Sequence, residues 1–308
     1  MIESGSSLSV FLTCPRKYDY QYNKRLEPKG YPSALVLGSL VHAAVEGYTS
    51  RGPTDIVDNP APFMRARSEA MERFGEENHS RVLQQAELAN GMYQGWRDRW
   101  DQDEAIGNRQ MKFVHSELEW KIKIGPHLHV GKSDGVVKYK DYEGLFLYEL
   151  KTAADRDRET YRHRLEIDKQ ISSNIMGLMD QGLDIKGVIY DVMWKPPLRG
   201  RKDETPDELN QRIVETMKAD PDSYERFIVY RNDSDLQEHI HDLAAQYHTI
   251  DHAGRIGHWY RNTGACDNYG SLCPFFQICM ENKSELEELY AKRDKKLPEL
   301  SKELQNAD

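Results

Sequence analysis

The spacing of apolar residues over the first hundred positions is typical of helices. A first helix is expected to begin at Ser6 or Ser7, whose hydroxyl can cap its amino end, and to run to about Asn23. A second helix is expected over residues 34–48, and helical spacing returns, with breaks, over residues 61–100. We therefore expect this part of the chain to be mainly helical.

Beyond residue 110 the pattern changes to an alternation of apolar and polar positions, which is the period of a half-buried strand. Strands are predicted over 112–124, 127–139 and 145–152, and their short connections predict a three-stranded meander. The later predicted elements are a helix over 165–181, a strand over 185–194, a helix beginning at 205, a strand over 225–231 and a helix over 234–252. This mixture predicts the α/β (α+β) class.

Composition narrows the class of protein. Of the 308 residues, 38% are hydrophobic and 30% are charged, as in a globular protein with a sizeable core. No apolar run approaches the roughly 20 residues that span a bilayer, and the amino end lacks the features of a signal peptide. These observations predict a cytoplasmic location and no membrane partner. The net charge of −9 weighs against a protein that coats DNA non-specifically.

Three residues, Asp134, Glu149 and Lys151, form the pattern with the clearest chemistry. Glu149 and Lys151 are two positions apart on a predicted strand, so their side chains point to the same face. Asp134 precedes them across a hairpin, which can bring its carboxylate beside that of Glu149. Converging carboxylates favour a hard cation such as Mg²⁺, and a lysine beside them can hold a phosphate oxygen or orient the attacking water. These groups suit the hydrolysis of a phosphodiester.

The cysteines can form one four-thiolate site without remainder. They are Cys14, Cys266, Cys273 and Cys279. Disulfides are disfavoured in a cytoplasmic chain. Zinc prefers cysteines paired about two to four residues apart, whereas here one distant cysteine is followed by C-x6-C-x5-C. An iron–sulfur cluster tolerates such spacing because its ligands can come from irregular loops. The residues alone therefore leave an iron–sulfur cluster and zinc as candidates.

Several segments, taken in order, resemble the PD-(D/E)xK nuclease superfamily, and specifically its RecB-like exonuclease branch, to which CRISPR-adaptation and phage exonucleases belong. The matching segments are SLSVFLTCPRKYDYQY near the amino end, VLGSLVHAAVE, VGKSDGVV, YELKT, DKQISSNI and CDNYGSLCPFFQIC. Single matches of this kind mean little, but six in the order of the family are specific.

The resemblance implies a restriction-endonuclease-like core, with a central mixed sheet flanked by helices. It implies that Mg²⁺ or Mn²⁺ is bound by four groups: the side chains of His42, Asp134 and Glu149 and the backbone carbonyl of Leu150. Lys151 would assist the water or the phosphate, and Gln170 would contact the phosphate or orient the lysine. The family often has a tyrosine four residues after this glutamine, and Asn174 occupies that position here.

The role of His42 and the spacing of the cysteines each have an alternative explanation. His42 precedes Glu46 by four residues on a predicted helix, so a simple His–Glu pair is an adequate account of it. RecB-like nucleases that bind an iron–sulfur cluster use one cysteine before the nuclease core and three after it, as in this chain. The last three cysteines are more commonly spaced C-x2-C-x5-C in those nucleases, whereas here the spacing is C-x6-C-x5-C. From this resemblance we favour a [4Fe–4S] cluster, with zinc as the alternative. The cluster is expected to clip the amino-terminal helix to the carboxy-terminal segment, in a structural role.

The predicted organisation has five regions. They are an amino-terminal helix with the first cluster cysteine (1–30), a helical region with the histidine motif (31–110), the nuclease core (111–253), the iron–sulfur segment (254–283) and a charged carboxy-terminal helix or tail (284–308).

The predicted function is a metal-dependent deoxyribonuclease. The resemblance favours an exonuclease that hydrolyses single-stranded DNA or DNA ends in recombination, repair or phage DNA metabolism, inside a bacterial host cell if it is phage-encoded. The alternative is a non-catalytic module that binds DNA ends or a helicase, stabilised by a metal cluster. The intact Asp–Glu–Lys set favours the enzyme. No Gly-x-x-x-x-Gly-Lys loop occurs, so unwinding would require a helicase or recombination partner.

Overall fold

The computed structural model describes most of the chain. The described residues are 1–30, 32–49, 59–105, 111–154, 157–268, 271–281, 287, 289–298 and 300–305. Parts of the predicted regions 31–110, 111–253, 254–283 and 284–308 therefore lie outside the described residues. No helix in the described ranges combines the length and the apolar character needed to cross a membrane.

The described chain contains both strands and helices. The strands are β1 (Ile2–Ser4), β2 (Leu26–Glu27), β3 (Met111–Ile124), β4 (His127–Tyr139), β5 (Leu145–Ala154), β6 (Ile185–Lys195), β7 (Tyr224–Val229), β8 (Asp267–Asn268), β9 (Ser271–Leu272) and β10 (Ala291–Lys292). The helices are α1 (Gly5–Thr13), α2 (Pro15–Tyr18), α3 (Ser33–Thr49), α4 (Ala61–Phe74), α5 (His79–Ala105), α6 (Arg158–Glu166), α7 (Lys169–Asp180), α8 (Pro206–Ala219), α9 (Asp233–Ile256), α10 (Phe276–Glu281) and α11 (Lys302–Gln305).

A mixed sheet forms the centre of the molecule. β3, β4 and β5 are the predicted antiparallel meander, β6 runs parallel to β5, and β7 runs antiparallel to β6. β1 adds in parallel to the first residues of β4 and had not been predicted from the sequence. The predicted class, a mixed sheet flanked by helices in an α/β arrangement, is confirmed.

Both faces of the sheet are covered by helices. On β5, Leu147 packs into the core with residues of α1, α7 and α9, whereas Phe146, Tyr148 and Leu150 pack into a second core with α3, α5 and α8. A strand buried on both faces reads as a nearly continuous apolar run, and LFLYEL follows this rule except at Glu149. The exception is therefore a carboxylate placed inside a core.

The first helix differs from the prediction at both ends. Ser4, not a later serine, caps α1, in a capping box with Ser7. The helix then breaks at Cys14 because Pro15 lacks an N–H and disfavours helical backbone at the residue before it. The chain continues through α2 and a π-helical turn over Asp19–Asn23. This break leaves Cys14 in extended backbone at the end of α1.

The predicted helix over 165–181 is two helices. α6 ends at Glu166, and α7 begins at Lys169 with Asp168 as its cap, the Asp168 carboxylate accepting the N–H of Gln170. The new start matters for function because it places Gln170 in the first turn of α7.

The carboxy-terminal segment differs from the charged helix predicted over 284–308. Its described part forms β10, which pairs with β2, and the single helical turn α11. Between them, Leu297 and Leu300 are almost fully buried in the core that also contains Leu8 and Trp120. Burying these apolar side chains favours an irregular segment held against the core over a solvated helix.

Candidate active site

The site begins where β4 and β5 separate. The two strands pair from Val137 to Gly135, which lies opposite Tyr148. One position further, the Asp134 carboxylate accepts the backbone N–H of Leu150 at 2.8 Å. The carboxylate thus accepts a backbone hydrogen bond that a carbonyl of a neighbouring strand would otherwise accept. The register places Asp134 and Glu149 on the same face of the sheet.

Helix α3 brings His42 to this gap. Its Nδ1 lies 3.2 Å from the Asp134 carboxylate. The simple pairing of His42 with Glu46 is not what the structure shows, because Glu46 faces Arg65 at 3.7 Å. The buried residues Leu37, Val41 and Val45 fix α3 against the sheet, so the position of His42 follows from packing over a long stretch of helix.

Glu149 and Lys151 lie on the same side of β5, as their spacing predicts. Lys151 Nζ donates to Glu149 Oε1 at 2.7 Å and to Gln170 Oε1 at 3.1 Å. Gln170 Nε2 donates in turn to Glu149 Oε1 at 2.9 Å. The structure therefore brings together the predicted residues from α3, β4, β5 and α7: His42, Asp134, Glu149, Leu150, Lys151 and Gln170. We call this set the carboxylate site.

Asn174 and Trp120 were not predicted as members of the site. Asn174 Nδ2 donates to Glu149 Oε2 at 3.3 Å, and the indole N–H of Trp120 donates to Asn174 Oδ1 at 3.0 Å. Asn174 is the position where the related family often has tyrosine. The signal that could have found it is its place one turn after Gln170 on the same face of α7.

Burial and neighbouring charges set the protonation of the site. Burial, supported by Asp134 and opposed by Lys151, raises the pKa of Glu149 to about 7. Burial also raises the pKa of Asp134, but His42 and the Leu150 N–H outweigh it, so the net shift is downward. For His42, burial lowers the pKa, yet Asp134 more than compensates and the pKa rises. Two carboxylates in one desolvated place attract a cation.

Two other histidines lie at the start of β4, and the structure gives them structural partners. His127 Nε2 lies 2.9 Å from Asp251, and its ring stacks on Tyr247. His129 is fully buried, with its ring nitrogens near Tyr247 Oη and Ser173 Oγ. Neither residue contacts the carboxylate site directly.

The four cysteines come together away from the sheet. Burial raises the pKa of the Cys273 and Cys279 thiols, and the thiols of Cys14 and Cys266 raise both further, so all four interact electrostatically. The backbone N–H of Asn262 approaches Cys14 Sγ at 3.4 Å. The cysteines thus bring the end of α1 beside the segment that follows α9.

Positive side chains surround the cysteines. Arg261 and Arg16 lower the pKa of Cys279, opposing its burial, and Lys17 acts in the same way on Cys273. Arg16 Nε donates to the carbonyl of Trp259 at 2.7 Å, and Arg261 donates to the carbonyl of Cys279 at 2.6 Å. These contacts hold the cations beside a set of four potential thiolates.

Neither set of residues is arranged around a point that a metal would occupy. Within the described ranges, no group of three or more His, Cys, Asp or Glu side chains is positioned to hold a metal ion. In the carboxylate site, Glu149 is engaged by Lys151 and Gln170, and Asp134 by His42 and Leu150. The donors are nevertheless those that a hard cation prefers: two carboxylates and an imidazole in a partly open place.

This chain is similar to several proteins of known structure. A search of curated proteins found no match. Eight solved chains match. One of these is a crystal structure from Eubacterium rectale, described as a "putative exonuclease", which is 14% identical, covers 91% of this chain and 87% of its own length, and has a TM-score of 0.49.

The family comparison covers most of the chain. The profile of the PD-(D/E)XK nuclease superfamily matches residues 4–280. That range includes every residue of the carboxylate site and all four cysteines. The chain belongs to the PD-(D/E)XK nuclease superfamily.

Proposed function

We propose that this protein is a metal-dependent deoxyribonuclease that hydrolyses phosphodiester bonds, acting as an exonuclease on single-stranded DNA or DNA ends. The observation that carries the proposal is the convergence of His42, Asp134, Glu149 and Lys151 where β4 and β5 separate. Membership of the nuclease superfamily supports the reaction class. The exonuclease mode rests on the resemblance of the motifs to the RecB-like branch.

The metal ligands in this proposal are His42, Asp134, Glu149 and the carbonyl of Leu150, and Mg²⁺ or Mn²⁺ fits this oxygen-rich set. Such an ion supplies Lewis acidity and an activated water. The chain's own residues do the rest. Lys151 holds its ammonium beside Glu149, where it can bind a phosphate oxygen and offset the charge that develops there.

Gln170 acts as a positioning residue in the same scheme. Its amide accepts from Lys151 and donates to Glu149, so both side chains are held at once. Asn174, itself held by Trp120, fixes the second oxygen of Glu149. Holding the side chains in a fixed orientation favours catalysis, because displacing a catalytic group lowers the reaction rate steeply.

We also propose that the four cysteines bind a [4Fe–4S] cluster in a structural role, with zinc as the alternative. Three observations support it: the Cys273 N–H donates to the Cys266 carbonyl at 2.8 Å, the Asn262 N–H is directed at Cys14 Sγ, and the cations Arg16 and Arg261 act on the Cys279 thiol. A cluster held by four thiolates is anionic, so these cations and N–H groups would stabilise it.

The proposed biological setting is DNA recombination, repair or phage DNA metabolism in the cytoplasm. DNA is the partner that a nuclease requires. A helicase or recombination protein is proposed as a second partner because the chain has no Walker-type loop with which to unwind DNA itself.

The decisive experiment compares wild type with Lys151→Ala and Lys138→Ala on end-labelled single- and double-stranded DNA, with Mg²⁺ or Mn²⁺. We expect cleavage that requires the ion, is lost by at least about 100-fold in Lys151→Ala and is unchanged in Lys138→Ala. Lys138 is the matched control because it is an exposed lysine on β4.

Two results would reject the proposal. Wild-type protein that is folded and contains its cluster, yet cleaves neither substrate with either ion, would favour the alternative of a DNA-binding or helicase-binding module. Full activity in Lys151→Ala would place the chemistry elsewhere in the molecule.

A further inference from the structure

A cavity of about 680 Å³ extends from the carboxylate site into the molecule. Asp134, Gln170 and Asn174 line one side of it, so whatever occupies this cavity lies beside the proposed reacting groups. Its other walls come from α1, α9 and the carboxy-terminal segment. Cavities of this size hold a ligand of the order of one or two nucleotides.

The residues that line the cavity are exposed in one part and buried in another. Ser6 and Leu12 of α1 and Lys169 of α7 are exposed and form its mouth. Ser173 and Leu243, in contrast, line it and are almost fully buried. The cavity is thus open to solvent at one end and enclosed by the core at the other.

The carboxy-terminal segment contributes to the enclosed end through Leu300. This leucine lines the cavity, is 2% exposed, and packs in the same core as Leu8, Trp120 and Leu243. It lies outside residues 4–280, the range that the superfamily profile matches.

Two polar anchors hold the segment around Leu300 in place. On one side, Lys296 Nζ donates to the buried carboxylate of Glu3 and, at 3.2 Å, to the carbonyl of Ile2. On the other side, the Ser301 N–H and Oγ donate to the Glu119 carboxylate at 2.7 Å and 2.6 Å. Because the anchors lie on β1 and β3, the segment is attached to the sheet itself.

We infer that Leu300, held in place by Lys296 and Ser301, is a stop that makes the nuclease specific for strand ends. This inference rests on the proposed nuclease function. A single strand entering past Lys169 and the carboxylate site would meet Leu300 and could not pass through, so only a terminus would reach the enclosed end of the cavity. Lys132 and Lys169 line the cavity, where they are paired with Glu117 and Asp242. Both can exchange these partners for the strand's phosphates. A continuous strand, without a terminus to insert, would bind weakly.

The test measures binding without catalysis. A fluorescent single-stranded oligonucleotide is compared with the same sequence closed into a circle, both titrated with the full protein in EDTA and followed by anisotropy. We expect the wild type to bind the linear form at least about tenfold more tightly than the circle. Labelling either end in turn identifies the terminus that enters.

Three variants locate the selectivity. Leu300→Trp should fill the enclosed end and weaken binding of the linear strand at least about tenfold, leaving the circle unchanged. Truncation after Lys296 should open the wall and bring the two affinities together. Glu303→Ala, an exposed change on α11, is the control and should behave as the wild type. Thermal unfolding checks that each variant is folded, and Leu300→Trp carries the test if the truncation is not.

The outcomes separate the two proposals. Equal wild-type affinity for circle and linear strand, or linear binding unaffected by Leu300→Trp, would overturn the stop whether or not the protein is a nuclease. Preference for the linear strand that Leu300→Trp abolishes would support the stop even if no ion restored cleavage, in which case the proposed nuclease function alone would fail.

Discussion

Glu149 is the side chain on which the contacts of the carboxylate site converge. Its two oxygens accept from Lys151, Gln170 and Asn174, and it is only 2% exposed in an otherwise apolar strand. A carboxylate in this environment is costly to bury unless every lone pair finds a partner. The residues around Glu149 are therefore under a constraint of stability as well as of chemistry.

Asn174→Ala tests that constraint. The change removes one donor to Glu149 and leaves the buried Trp120 N–H without its acceptor. We expect a loss of about 1–3 kcal/mol in the free energy of unfolding, measured by urea denaturation, together with reduced nuclease activity. Asp180→Ala, an exposed change at the end of α7, is the control, and an equal effect in both variants would remove Asn174 from the site.

At the scale of elements, β6 is joined to its neighbours through one buried acid. Asp191 Oδ2 accepts from Trp96 of α5 at 3.0 Å, from Tyr148 of β5 at 3.1 Å and from Arg226 of β7 at 2.5 Å. Asp191 and Arg226 are both almost fully buried. This network lies on the face opposite Glu149 and supports the strands that carry the carboxylate site.

Asp191→Ala should therefore be strongly destabilising. It would leave the Arg226 cation buried without its partner, which typically costs about 3–5 kcal/mol in the free energy of unfolding. Urea denaturation measures the loss, with Asp184→Ala as the exposed control just before β6. A loss below about 1 kcal/mol would show that the interior accommodates the unpaired guanidinium.

A second contact between elements is a chain of buried polar groups joining β4, α7 and α9. Ser173 Oγ lies 3.0 Å from His129 Nε2 and 2.8 Å from His239 Nε2. Burial is the largest cause that lowers the pKa of each histidine to about 4. Both imidazoles are consequently neutral in the folded protein at neutral pH.

This shift predicts a loss of stability in mild acid. In the unfolded chain these histidines bind protons near pH 6.5, whereas in the folded protein they do so only near pH 4, so protonation favours unfolding over that window. For fully buried His129, the resulting loss in the free energy of unfolding is on the order of 3 kcal/mol. The free energy of unfolding, measured from pH 7 to 4, should fall less steeply in His129→Gln than in the wild type. In the exposed control His163→Ala it should fall as steeply as in the wild type. Equal slopes in all three proteins would disprove the assignment.

At the scale of the whole molecule, the two ends of the described chain meet. Asn262 Nδ2 donates to the carbonyl of Thr13 at 2.8 Å, next to Cys14, and the backbone of Arg293 donates to the carbonyl of Arg25 at 2.9 Å. A clip between points so distant in sequence removes much freedom from the unfolded chain. The proposed cluster would act at this junction.

Cys14→Ser tests the clip. We expect loss of the brown colour of an iron–sulfur protein and a fall in the melting temperature of more than about 5 °C, since 1 kcal/mol corresponds to about 2–4 °C in a domain of this general size. Thr13→Ala, an exposed change beside Cys14, is the control. A colourless wild-type protein that contains zinc would favour the zinc alternative, and a stable, active Cys14→Ser would reject a structural role.

Local pattern was sufficient to predict much of the fold and to group Asp134, Glu149 and Lys151. His42, Leu150 and Gln170 were expected only from the family resemblance. The period of two in LFLYELKT places Glu149 and Lys151 on one face whatever packs around them, and a short hairpin brings Asp134 opposite. The start of a helix at Thr205 was likewise predicted from local residues, and Thr205 is the cap of α8 in the structure. These features depend on neighbours in sequence or on one hairpin.

Contacts between distant segments were beyond the reach of local pattern. Trp120 holding Asn174, Glu3 and Glu119 anchoring the carboxy-terminal segment, and Asp191 joining neighbouring elements each link residues more than 30 positions apart. Their sequences carry no periodic signal, because a single polar residue reads the same whether it is solvated or buried against a partner. Packing density and the need to satisfy each buried polar group select among those readings, and both arise only when the whole chain has folded.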